Sequence, residues 1–184
     1  MIIFIDSEGS PIQELSAIAM NVVTRRIVDV YHNYAYCPTE RDWWARRHIH
    51  GLNPTYLMHI GFESEPALIQ DFRCWMRRFN ILKIIGNDAH TEAEKLDVRI
   101  FDIGLPEWSL RVNYNYHKIP NVFKNHNISF DCKARCHTEY HSYYLQPAIS
   151  FSLPPNQLAR IEHGYHCSLA DVYELYYYYC EQFL

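Results

Sequence analysis

The chain has 184 residues, 48% hydrophobic and 21% charged, the balance of one globular domain, residues 1–184, with a core of its own. A net charge of −4 excludes a generally basic nucleic-acid coat, but not an enzyme whose acidic site carries cations. No apolar run reaches the ~18 residues of a membrane span, so no membrane partner is expected. The run at residues 1–5 is cut short by Asp6 and Glu8 and lacks a basic start, so it reads as a strand and not as a signal peptide. Six cysteines without a secretory signal place the chain in a reducing compartment, intracellular and cytoplasmic before nuclear, as free thiols or metal ligands.

The elements alternate. Residues 2–5 are a β-branched run bounded by Gly9 and Pro11, a buried strand. Residues 14–23 and 27–34 read as two further strands, with Thr24-Arg25-Arg26 as the turn of an antiparallel meander. Residues 38–50 are a polar and aromatic loop with a helical piece, and residues 54–60 a short helix. Residues 66–79 carry Ala67, Leu68, Phe72, Trp75, Met76 and Phe79 at three- and four-residue spacing, an amphipathic helix. Residues 81–85 follow as a strand. Thr91 with Glu94 is a capping-box pattern that starts a helix over 91–96. Residues 98–103 are a fifth strand. Residues 168–184 close the chain as a helix, with Ser168 as N-cap and Asp171 in its first turn. This order predicts an α/β fold with a five-stranded mixed sheet, the first three strands antiparallel, flanked by helices.

Asp6 and Glu8 stand two apart at the end of the first strand. In an extended chain they point to one side and can reach one hard cation such as Mg²⁺ or Mn²⁺. As solvated turn residues before Gly9 they would need no ligand. His166 and Asp171 lie at the other end. On a continuous helix, five residues would turn their side chains about 140° apart; with His166 before the helix, both can face one site. A neutral imidazole there suits the removal of a proton from a metal-bound water near pH 7.

Asp6-Ser7-Glu8 near one end, and His166 ahead of Asp171 near the other, resemble the first and last motifs of the DEDDh 3′–5′ exonucleases. His50-Gly51-Leu52-Asn53 before a short helix is similar to that family's His-Gly-Ile-Thr segment. The resemblance spans most of the chain and implies an RNase H-like fold. It also implies a two-metal mechanism. Asp6, Glu8, Asp88 and Asp171 would hold two Mg²⁺ or Mn²⁺ ions, with His166 as general base on the attacking water. The partners would be RNA or DNA 3′ ends, and the products nucleoside 5′-monophosphates. The family places its third acid four residues beyond an Asn; after Asn87 that position is Thr91. Asp88 is chosen for its side-chain type, Glu92 is a close second, and Glu94 a distant third. Each could instead serve only the helix dipole.

Cys132, Cys136, His137 and His141 lie within one short stretch, and thiolate with imidazole at such spacing suits part of a structural Zn²⁺ site. Cys167 and Glu14 are candidates for the remaining ligands. This arrangement is similar to that of the arenavirus nucleoprotein exonuclease domain, in which the catalytic His is followed by a Cys ligand and the Asp-x-Glu-Gly motif by a Glu ligand. Buried cysteines and loop histidines without metal are the plain alternative. Substrate contacts would come from Trp43-Trp44, Arg46-Arg47 and His48-Ile49-His50, cations on phosphates and rings on bases. For the two tryptophans a core role is as good an account. The rival reading of the whole is an inactive RNase H-like nucleic-acid- or protein-binding module with a structural zinc.

Overall fold

The computed structural model describes residues 1–37, 50, 52, 54–105 and 168–184. Among these, five strands form one sheet in the order β3-β2-β1-β4-β5. They are β1 (Ile2–Glu8), β2 (Glu14–Met20), β3 (Ile27–Tyr34), β4 (Lys83–Gly86) and β5 (Phe101–Asp102). The first three are antiparallel, while β4 runs parallel to β1 and β5 parallel to β4. The helices among the described residues are α1 (Pro54–Ile60), α2 (Glu65–Met76), α3 (His90–Leu96) and α4 (Ser168–Phe183). The expected class is met: a mixed five-stranded sheet with helices on both faces.

Covering both faces explains why β1 and β2 read as continuous apolar runs. Ile2 and Phe4 of β1 pack with Ile18, Met20 and Ile85 against Leu169, Val172, Tyr173 and Leu175 of α4. Ile3 and Ile5 face the other way, with Leu15, Ala17 and Ala19, against Leu68, Phe72, Trp75 and Met76 of α2. Phe4 is fully buried and meets Tyr176 and Tyr179 edge-on at 5.7 and 5.4 Å. The tyrosine run of α4 therefore serves packing. On the opposite face, Tyr31 donates to Asp71 Oδ2 at 2.8 Å, and Trp75 Nε1 donates to Asp29 Oδ2 at 3.1 Å. These bonds satisfy the polar tips of rings that otherwise build the core.

Local chemistry moves several boundaries. β2 stops at Met20 because the Asn21 side chain accepts from the N–H groups of Val23 and Thr24 at 2.9 and 3.0 Å. That side-chain turn replaces the ladder three residues earlier than the basic turn predicted. α2 begins at Glu65, one residue before the expected start, because Ser64 caps it by accepting from Ala67 N at 3.4 Å. The Thr91–Glu94 capping box is not formed. Asp88 takes a left-handed conformation at φ 51°, its N–H donates to Asp102 Oδ2 at 3.0 Å, and α3 starts at His90 without a side-chain cap. Thr91 is thus inside the helix. β5 is shorter than the strand predicted over 98–103.

Candidate metal centre

The extension of β1 to Glu8 puts Asp6 and Glu8 inside the paired strand rather than in a turn. In register, Asp6 lies opposite Ser16 and Glu8 opposite Glu14. Alternation places Asp6 and Glu8 on the face that Phe4 shares with α4. Asp171, in the first turn of α4, descends on that face. Carboxylate oxygens of Asp6, Glu8 and Asp171 all lie within 4.8 Å of one another. Glu8 is buried, and the other two are partly exposed.

This packing is costly for ionised groups. Glu8 is held well above its ordinary carboxyl pKa, first by loss of water around it, then by the negative charges of Asp6, Asp171, Glu14 and Glu92. A divalent cation bound by the three oxygens would reverse both effects. Three hard carboxylate donors fit Mg²⁺ or Mn²⁺ better than a soft-ligand metal. The fit to the expected ions is therefore good.

The acid expected from α3 is placed differently. The Asp88 side chain is 87% exposed and 3.2 Å from His90 Nδ1, and Asp88 is not in the acidic group. Glu92 is buried at 7% exposure. It accepts from Ser7 Oγ at 2.5 Å, and its charge reaches Glu8. Since Ser7 points to the α2 and α3 face of β1, Glu92 approaches the same strand end from the side opposite Asp171. Burial and this hydrogen bond were absent from the sequence signal, which rested on side-chain type.

Glu14, predicted as a zinc ligand, is fully buried. Its Oε1 lies 2.7 Å from His32 Nε2, and Tyr34 OH is 2.6 Å from the same nitrogen. Glu14 Oε2 accepts from the backbone N–H of Ser168 at 3.4 Å. His32 was not singled out from sequence; its partner Glu14 and their shared β2–β3 pairing are visible only in the register. His50 is buried and its Nδ1 accepts from Leu52 N at 3.2 Å, so this histidine shapes the start of the Leu52–Leu57 cluster. His166, Cys132, Cys136, His137, His141 and Cys167 lie outside the described residues, as do Trp43, Trp44, Arg46, Arg47 and His48.

No family model and no curated protein matches the chain. Among solved structures, it is similar to the nuclease domain of 3′hExo, a DEDDh family member, bound to rAMP. Identity there is 13% and the TM-score 0.47, over 96% of this chain and 88% of that one. It is also similar to exonuclease I, at 16% identity and a TM-score of 0.49, over 96% of this chain and 39% of that one.

Proposed function

We propose that this protein is a metal-dependent 3′–5′ exonuclease that hydrolyses RNA or DNA and releases nucleoside 5′-monophosphates. The observation that carries the reading is the meeting of Asp6, Glu8 and Asp171, from opposite ends of the chain, within 4.8 Å. The motifs in which these residues stand, and the order of those motifs, agree with it. Asp6, Glu8 and Asp171 would hold Mg²⁺ or Mn²⁺, and Glu92 is better placed than Asp88 to add the fourth carboxylate. Bound there, two divalent ions would lower the pKa of an attacking water and offset charge on the phosphate and the leaving 3′ oxygen.

The protein's own groups set up that chemistry. Glu8, desolvated on the sheet, gives up its proton when cations arrive. Asp6 and Asp171 are partly open to solvent, which leaves a route for a phosphate. In this reading His166, two residues before α4, takes the proton of the water. In the same reading a separate structural zinc takes two ligands from among Cys132, Cys136, His137 and His141, with Cys167 and Glu14 as candidates for the other two.

The test is Mn²⁺-dependent release of mononucleotides from 3′-labelled single- and double-stranded RNA and DNA. Release is expected from the native chain, with loss of at least a hundredfold, on the order of a catalytic metal ligand or general base, in Asp6→Asn, Asp171→Asn and His166→Ala. A folded protein that releases nothing from any of these substrates contradicts the proposal and favours the binding module.

A further inference from the structure

We propose that Ser16 and Ser168 are positioning residues that set the depth of Asp171 over the sheet; the inference rests on the metal-centre reading above. Asp6 is paired with Ser16, and Glu8 with Glu14. Partners directly opposite in an antiparallel pair project to the same face. The two β1 acids and the two β2 polar residues therefore form one small polar square on the α4 side of the sheet, flanked by the apolar Phe4 and Ile18.

Both β2 members of that square touch the first residue of α4. The hydroxyls of Ser16 and Ser168 are 2.6 Å apart, hydrogen-bonded and fully buried. The N–H of Ser168 donates to Glu14 Oε2 at 3.4 Å. Glu14 is itself held through its other oxygen by His32 at 2.7 Å. Asp171 follows Ser168 by three residues, about one helical turn. A helix pinned at its first residue to the strand beside Asp6 and Glu8 has little freedom in where its first turn lies. Apolar packing of Leu169, Val172 and Leu175 holds the helix down but is non-directional. The buried hydroxyl pair is directional and supplies the register along the helix axis.

The experiment is a cycle of Ser16→Ala, Ser168→Ala and the double variant in the full chain, read by calorimetric Mn²⁺ titration, thermal midpoint and crystal structure. Each single variant buries one hydroxyl without its partner and loses stability; the double variant buries neither and regains part of it. Metal affinity is expected to behave differently. It falls about tenfold or more in the single variants and stays low in the double variant, because the directional hydroxyl contact is gone in all three while the Ser168 N–H bond to Glu14 alone stays. The metal-free crystal structure of the double variant gives a readout that does not depend on metal binding. It should show the Asp171 carboxylate withdrawn from those of Asp6 and Glu8. Affinities within twofold of the native chain, or a double variant whose affinity returns in step with its stability, overturn the positioning role. So does an unmoved Asp171 in that crystal structure. A native chain that binds no Mn²⁺ sinks the metal reading instead, and the withdrawn or unmoved Asp171 then decides the pin alone.

Discussion

Glu8→Gln removes one of three carboxylates whose oxygens lie within 4.8 Å of one another. At that separation two unit charges repel by about 3.5 kcal/mol in an effective dielectric near 20, several times thermal energy. Three ionised acids contain three such pairs, and the variant keeps one, between Asp6 and Asp171. Without metal the native chain is relieved of two of these repulsions whenever Glu8 holds a proton, and its pKa is raised first by burial and then by its acidic neighbours. Because the folded state binds this proton more tightly than the unfolded chain, its contribution is full below the ordinary value of 4.5 and is lost as pH rises through the folded value. The metal-free native chain should therefore become less stable as pH rises above the ordinary carboxyl value toward the raised folded one, and Glu8→Gln should remove that part of the slope. Mn²⁺ binding should expel the proton from Glu8. Calorimetric titrations in two buffers of different protonation enthalpy measure that release. At a pH between the ordinary carboxyl value and the raised folded one, the native chain should release up to one proton from this site. Glu8→Gln should release none from it and bind Mn²⁺ at least tenfold more weakly, about 1.4 kcal/mol. Equal pH slopes for both proteins, with no proton released by the native chain, would show that Glu8 carries no such proton.

Glu92→Gln should lower Mn²⁺-dependent nuclease activity about tenfold or more, on the order of one lost charged ligand, while Asp88→Asn stays within about twofold; the reverse order in the same assay would return the fourth position to Asp88. Gly86→Ala should cost about 1–3 kcal/mol by overpacking, because a Cβ there meets the side chains of Ala89 and Ile100; a denaturant melt measures it. Phe72→Ala should cost about 3–5 kcal/mol, since the ring is fully buried and stacks on Trp75 at 5.6 Å. Metal analysis of protein purified without chelator should find close to one zinc per chain, and less than about half an equivalent would argue against the Cys/His site.

Much of the sheet was legible because its strands are apolar on both faces or alternate cleanly. Ile2, Phe4, Ile3 and Ile5 fill two cores, and a β-branched run with that burial has few other solutions. The same holds for α2, where three- and four-residue spacing marked Leu68, Phe72, Trp75 and Met76. What escaped was side-chain chemistry that competes with the backbone. Asn21 ends β2, Ser64 starts α2, and Asp88 turns the chain before α3. The meeting of Asp6, Glu8 and Asp171 was legible as an Asp-x-Glu pair and a helix-starting Asp, since period-two alternation and a first-turn position fix their direction. The burial of Glu92 and the exposure of Asp88 could not be read from residue type, because Glu92 is buried by the way α3 packs against Ser7. The Glu14–His32 pair needed the β2–β3 register, which sequence pattern leaves open by two residues without changing the face.

The most direct measurement is anomalous diffraction from crystals soaked in Mn²⁺. A metal centre at these acids gives a peak bonded to oxygens of Asp6, Glu8 and Asp171 at about 2.0–2.4 Å, as hard divalent cations require. A lattice that admits Mn²⁺ but shows no peak among these three carboxylates, or only one at the Glu14–His32 pair, contradicts it.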